Sequence, residues 1–299
     1  MKKSLSSSLL ILFFSLNLQA SGANQLWSLD VVQPVPVDSS AIGIGSFLKV
    51  NSKPEILLGQ LVRHDGSFHS LMTLNPEKST IEYISASHFA SPLSRAQNVL
   101  KLYQQQGETC TAYAIDDFIL QSHIAGMAGN ANLTSALADE EGRASLLADT
   151  ISQYYLVLQH RFSIQGILKG YGQKFGFSCR KKVFSDLTVA REYLKTSLHS
   201  GLPVLVSFYV GQNMSEGPFK MEKVDQSTPS EDTQLWLPRK MGERNSGGHS
   251  VVAVGSFTMA GADYVVMLDS DWALPRVWDL NQALSDRTAI HEVEFYTCE

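Results

Sequence analysis

The spacing of apolar and polar residues changes along the chain and divides it into a strand-rich first part and a mixed remainder. Between residues 21 and 90, short apolar runs alternate with polar turn clusters, a pattern typical of β-strands. The runs cover residues 41–50, 55–62, 68–74 and 81–84. The sequence therefore predicts a β-rich N-terminal segment over 21–90. That segment could be an accessory domain, an addition to the main sheet or a pro-region.

Helical spacing of apolar residues begins at Cys110 and continues to about residue 128, where glycines end it. A second helical tract covers roughly 135–162. A third runs over 186–199 and is followed by a buried-type strand at 202–210. Helices thus dominate the first half of the region after residue 90.

A polar stretch from about 211 to 248 interrupts this pattern, and a loop of that length in a compact domain is usually functional or disordered. Beyond it, strand-like segments cover 250–257, 264–268 and 289–296. Helices that come first and strands that come later predict an α+β fold. We assign residues 91–299 to one domain.

The first twenty residues have the pattern of a secretory signal peptide. Lys2 and Lys3 form a basic head, an apolar stretch covers 9–16, and Ala20 ends a short cleavage-site segment. An uncleaved N-terminal anchor is the alternative. No later apolar run approaches the roughly 20 residues of a membrane helix. We therefore expect a secreted or periplasmic protein with no integral membrane segment after cleavage.

The net charge and the cysteine content of the chain exclude some classes of function. The formal net charge of −5 offers no electrostatic support for binding nucleic acid. Three cysteines in an exported chain leave at least one outside an intramolecular bridge. The simplest pairing joins Cys179 to Cys298 and leaves Cys110 free, although all three could be free or Cys110 could itself be bridged. The cysteines are far apart and no histidine pair has ligand spacing, so we expect no metal or cofactor.

Cys110 lies where a glutamine-rich loop enters the first predicted helix. A helix N-terminus has unsatisfied N–H groups and partial positive charge, and both favour a thiolate. A nearby glutamine side chain could donate a hydrogen bond to an oxyanion that forms beside the sulfur. Gln104, Gln105 and Gln106 are all candidates for that role.

A base and an orienting acid follow later in the chain. His249 precedes an apolar strand, and Asp269 directly ends the next one. Asp271, two residues further on, competes for the orienting role. Taken singly, a buried cysteine, a surface histidine and a turn aspartate are ordinary structural residues. Together they supply a nucleophile, a base and an orienting acid.

These segments resemble the papain-like cysteine peptidase superfamily, and the C39-like peptidases in particular. Gln104 lies six positions before Cys110, as the oxyanion glutamine does in that superfamily, and Ala112 and Tyr113 are similar to its small–aromatic pair. The residue after the cysteine, Thr111, departs from the family pattern of Trp or Gly.

The later segments are similar as well. Residues 247–255 resemble the strand that carries the base, Asp269 follows a strand similar to that of the third member, and 186–210 resembles the helix and strand that precede the histidine. The likeness covers roughly residues 95–280.

The resemblance implies a helical subdomain that carries Cys110, packed against an antiparallel β subdomain that carries His249 and Asp269. It also implies an exported cysteine peptidase that cleaves peptides or proteins through a Cys-His-Asp triad, with Gln104 in the oxyanion hole. A papain-like glutamine deamidase or transglutaminase, and a papain-fold binding module without catalysis, are the alternatives.

Overall fold

A computed structural model describes most of the chain. The described residues are 28–33, 42–62, 68–89, 109–127, 129–160, 163–209, 220–223, 248–270, 275–283 and 293–298. Within them the chain forms two six-stranded sheets together with α-helices, so the predicted α+β class is confirmed. The predicted signal peptide, 1–20, lies outside the described residues.

The elements are numbered in chain order. They are β1 (Leu29–Gln33), β2 (Phe47–Val50), β3 (Lys53–Val62), β4 (Phe68–Asn75), β5 (Thr80–Ser85), α1 (Cys110–Ile124), α2 (Ala131–Leu137), α3 (Glu140–His160), α4 (Ile164–Phe175), β6 (Cys179–Phe184), α5 (Leu187–His199), β7 (Val204–Tyr209), β8 (Lys220–Lys223), β9 (Gly248–Met259), β10 (Ala262–Leu268), β11 (Arg276–Asp279), α6 (Leu280–Ala283) and β12 (Val293–Cys298).

The first sheet has the strand order β1-β2-β3-β4-β5-β8. Its first five strands pair antiparallel with their sequence neighbours. Strand β8 pairs parallel with β5, with Ile81 opposite Met221. Strand β8 lies within the stretch predicted to be a polar loop, because three of its four residues are charged and its apolar residues do not alternate with polar ones.

The second sheet has the order β11-β10-β9-β7-β12-β6 and is antiparallel throughout. Strands β7, β9, β10 and β12 match the four predicted strands within a few residues. Strands β6 and β11 were not predicted. The middle strands have continuous apolar runs because both of their faces are covered.

The helices follow from local sequence signals. Asp186 caps α5, since its side chain accepts hydrogen bonds from the backbone N–H groups of Thr188 and Val189 at 2.7 and 3.2 Å. The single tract predicted over 135–162 is two helices, α2 and α3. Helix α4 was not predicted; it ends at Gly176, whose φ of 77° is left-handed.

One continuous hydrophobic cluster joins α1 to both sheets. It includes Phe118 of α1, Met72 of the first sheet and Val266 of the second, all fully buried. The opposite face of the second sheet packs against α5 through residues such as Leu194 and Val251. The N-terminal sheet and the later part of the chain therefore share a core.

Two further contacts join remote parts of the chain. The predicted Cys179–Cys298 disulfide is confirmed and links β6 to β12, with the two Cα atoms 4.0 Å apart. Ile44 packs closely on Gly255 of β9, where an added Cβ would lie 2.4 Å from the Cβ of Ile44. No helix in the described part of the chain is long and apolar enough to span a membrane.

Candidate active site

Cys110 is the first residue of α1 and is 8% exposed. Every residue of this helix from Cys110 to Ser122 is buried, so the helix holds the sulfur rigidly at its N-terminal end. The thiol is free, because the other two cysteines form the disulfide. The first N–H groups of a helix have no carbonyl partner within it, and they face the same end as the sulfur.

His249 is the second residue of β9 and is 6% exposed. Pairing of β9 with β7 sets it opposite Phe208, whose ring meets the imidazole edge-on with 5.7 Å between centroids. Phe208 packs in the same way on the buried ring of Trp278. This aromatic support restricts the rotation of the imidazole.

Asp269 directly follows β10 and brings its carboxylate to the same end of the second sheet. Its Oδ1 lies 3.0 Å from Nε2 of His249, and its Oδ2 lies 3.1 Å from Nη1 of Arg276. All three side chains are less than a tenth exposed. Asp269 therefore orients the ring, and Nδ1 is the ring nitrogen left for Cys110.

Cys110 and His249 shift each other's pKa. Burial favours the neutral thiol, but the hydrogen bond and positive charge of His249 outweigh it and lower the pKa of Cys110. The backbone N–H of Ser250 and the hydroxyl of Thr111 act in the same direction. Burial likewise disfavours the imidazolium, but Asp269 and Cys110 raise the pKa of His249 to about 10. These shifts favour a thiolate–imidazolium pair.

A hydroxyl bridge joins the two elements that carry this pair. The side-chain oxygens of Thr111 and Ser250, which directly follow Cys110 and His249 in the sequence, lie 3.1 Å apart. The sulfur of Cys110 also lies 3.9 Å from the carbonyl oxygen of Gly248. The spacing between α1 and β9 is thus held by contacts on both sides of the sulfur.

The structure brings together Cys110, His249 and Asp269, three of the four candidate residues. Gln104 lies outside the described residues, as does Asp271, the alternative to Asp269. Sequence reasoning missed Arg276. A charged residue directly before the apolar pair of a short strand was the available signal, because such a residue is buried only when it has a partner.

The arrangement has the parts that acyl transfer requires. A thiolate can attack an electrophilic carbon, an imidazolium beside it can donate a proton, and helix N–H groups can stabilise an oxyanion. In the described part of the chain, no group of three or more His, Cys, Asp or Glu side chains could hold a metal ion.

No protein-family model matches the chain, and no curated protein matches it significantly. The residues and geometry of this site are therefore the basis for assigning an activity.

Proposed function

We propose that the chain is an exported, papain-like cysteine peptidase that uses Cys110 as nucleophile, His249 as base and acid, and Asp269 as orienting group. One observation carries the proposal. The free thiol at the start of a buried helix lies 3.9 Å from the carbonyl oxygen of Gly248, the residue before His249, and Nε2 of His249 lies 3.0 Å from Asp269.

In the first half of the reaction, the Cys110 thiolate forms a bond to the carbonyl carbon of the substrate, and the carbonyl oxygen becomes an oxyanion. The backbone N–H of Cys110 and, by the family resemblance, the side chain of Gln104 donate hydrogen bonds to it. The His249 imidazolium then protonates the leaving amine as the C–N bond breaks. An acyl-enzyme thioester remains.

In the second half, neutral His249 removes a proton from water, and the resulting hydroxide attacks the thioester carbon. The C–S bond breaks, the carboxylic acid product leaves, and His249 regains the imidazolium form beside the thiolate. Asp269 holds Nε2 throughout, so Nδ1 faces the reacting atoms in both halves.

Two features of the fold support the assignment. A buried helix that carries the nucleophile packs against an antiparallel sheet that carries the base and the acid, which is the arrangement expected of a papain-like enzyme. The Cys179–Cys298 disulfide fits an oxidising compartment, since such bridges persist mainly in exported proteins.

The direct test replaces Cys110 with alanine in the mature protein and measures cleavage of a proteome-derived peptide library by mass spectrometry. We expect the rate to fall by about three orders of magnitude or more, because the nucleophile is removed. Ser122→Ala is the matched control, since that buried hydroxyl lies on the same helix and has no hydrogen-bond partner among the described residues. Unchanged cleavage by the Cys110→Ala protein, with the control active, would refute the mechanism.

The same assay separates the alternatives. New peptide termini indicate a peptidase. Ammonia release or isopeptide formation without chain cleavage indicates a glutamine deamidase or transglutaminase, because the same thiolate can attack a carboxamide. If no peptide is cleaved, no ammonia is released and no isopeptide forms, and an epoxysuccinyl peptide fails to label Cys110 near neutral pH, the protein is a binding module.

A further inference from the structure

We propose that Arg276 is a positioning residue that acts through Asp269 and balances the charges of the site, so that the thiolate–imidazolium pair can exist near neutral pH. This inference rests on the proposed function. It adds Arg276 to the predicted set of Cys110, His249, Asp269 and Gln104, and it assigns Arg276 an electrostatic role.

Arg276 contacts the carboxylate oxygen of Asp269 that does not contact His249. Arg276 begins β11 and pairs with Met267 of β10, two residues before Asp269. Its Nη1 lies 3.1 Å from Oδ2 of Asp269, and the two side chains are 4% and 2% exposed. A guanidinium stays protonated throughout the working pH range, so Asp269 is bonded on one side to a permanent cation and on the other to the imidazole.

The contact between Arg276 and Asp269 matters because it sets the net charge of the site. When the reactive pair forms, the negative charges of Cys110 and Asp269 are matched by the positive charges of His249 and Arg276. Without Arg276, the other three groups would carry a net negative charge in a buried site. Such a charge is costly, and uptake of a proton by the thiolate would remove it.

Cys110 and His249 act on each other electrostatically, and Asp269 acts on His249. Neutral groups from α1, β7 and β9 also contact the pair: the Thr111 hydroxyl, the backbone N–H of Ser250, the Gly248 carbonyl and the Phe208 ring. The nearest acidic groups along α1, Asp116 and Asp117, are paired with Arg143.

The test follows the ionisation of Cys110 without any substrate. With the disulfide intact, Cys110 is the free thiol, so its rate of alkylation by iodoacetamide as a function of pH reports thiolate formation. The assay compares the wild-type protein with Arg276→Met, which removes the charge, and Arg276→Lys, which retains it. Arg180→Met removes the same charge from an exposed residue of β6, at the opposite edge of the sheet.

We expect Arg276→Met to raise the alkylation midpoint by about one pH unit, which means about tenfold slower alkylation below that midpoint. Arg276→Lys should keep the midpoint close to its wild-type value, and Arg180→Met should leave the midpoint unchanged. Arg276→Gln, which is also uncharged, replaces the methionine variant if that variant does not fold. A purely structural role would lower the melting temperature of Arg276→Met and leave the midpoint in place.

A double-mutant cycle tests whether Arg276 acts through Asp269. In an Asp269→Asn background, we expect Arg276→Met to add little further shift, because the intermediary carboxylate is already neutral. An unchanged midpoint in Arg276→Met, or an equal shift in the two backgrounds, would overturn the inference while the proposed function stands. If Cys110 of the wild-type protein titrates as an ordinary thiol, the proposed function itself fails, and this inference fails with it.

Discussion

Burial alone would leave Cys110 a neutral thiol and His249 a neutral imidazole, because a low-dielectric interior disfavours both charged forms. Their mutual interaction, together with the carboxylate of Asp269, reverses this preference. The shifts in pKa therefore belong to the coupled set of residues and to no member alone. Each of these three residues, considered singly, is an ordinary core or turn residue.

The proposed peptidase activity should depend on pH because of these shifts. The reactive pair needs an ionised Cys110 and a protonated His249. Peptide cleavage should therefore rise with pH as Cys110 ionises, below the usual thiol range, and fall as His249 loses its proton at about 10. The measurement is kcat/KM against pH. Alkylation of Cys110 is the control and should not fall above pH 10, because it needs only the thiolate; parallel profiles would contradict the assignment.

At the scale of the elements, α1 has a second buried cluster two turns beyond its N-terminus. Asp116 and Asp117 both bond to Arg143 of α3, at 3.2 and 2.8 Å, and all three are less than a tenth exposed. Burial raises the pKa of Asp117 from 3.8 to about 8, against the opposing effect of Arg143, and Asp116 adds to the rise. One arginine thus balances only one of the two carboxylates.

This cluster should make stability depend on pH. The folded chain retains a proton on Asp117 between about pH 4 and 8 that the unfolded chain releases, so the free energy of unfolding should fall as pH rises through that window. Asp117→Asn should reduce the loss between pH 5 and 8 by roughly 1–3 kcal/mol. Urea unfolding at the two pH values measures it. Glu141→Gln, at an exposed position of α3, should retain the wild-type slope.

Local sequence signals predicted some elements and failed for others for identifiable reasons. Helix α5 was predicted because its cap, its apolar spacing and the glycine that ends it agree. Strand β6 was missed because it contains three consecutive basic residues, and its place at the sheet edge depends on pairing with β12 and on the Cys179–Cys298 bridge. Strand β8 was missed because its partner, β5, is remote in sequence.

At the scale of the whole molecule, the N-terminal sheet and the helix that carries Cys110 bury their apolar side chains in one cluster. Ile56, Met72 and Ile81 of the first sheet belong to this cluster, together with residues of the second sheet such as Val252 and Val266. A segment removed during activation would expose this surface, which favours a permanent structural role for the described part of 21–90.

The contact between Ile44 and Gly255 tests that role. Gly255→Ala would place a Cβ 2.4 Å from the Cβ of Ile44 and force the N-terminal segment away from β9, so we expect a loss of about 1–3 kcal/mol in the free energy of unfolding. Gly170→Ala is the matched control, since a Cβ there meets nothing within 4 Å and alanine favours a helix. Denaturant unfolding compares them. Equal stability of Gly255→Ala and the wild type would contradict the docking of the two parts.

The sequence by itself determined the α+β class, the helix that begins at Cys110 and the strands that position His249 and Asp269, because apolar periodicity and end signals act over a few neighbouring residues. Only the tertiary structure decided which ring nitrogen meets Asp269, that Arg276 lies behind it, and that Cys110 is the unbridged cysteine. Those facts depend on contacts between residues far apart in the chain, whose packing no local pattern records.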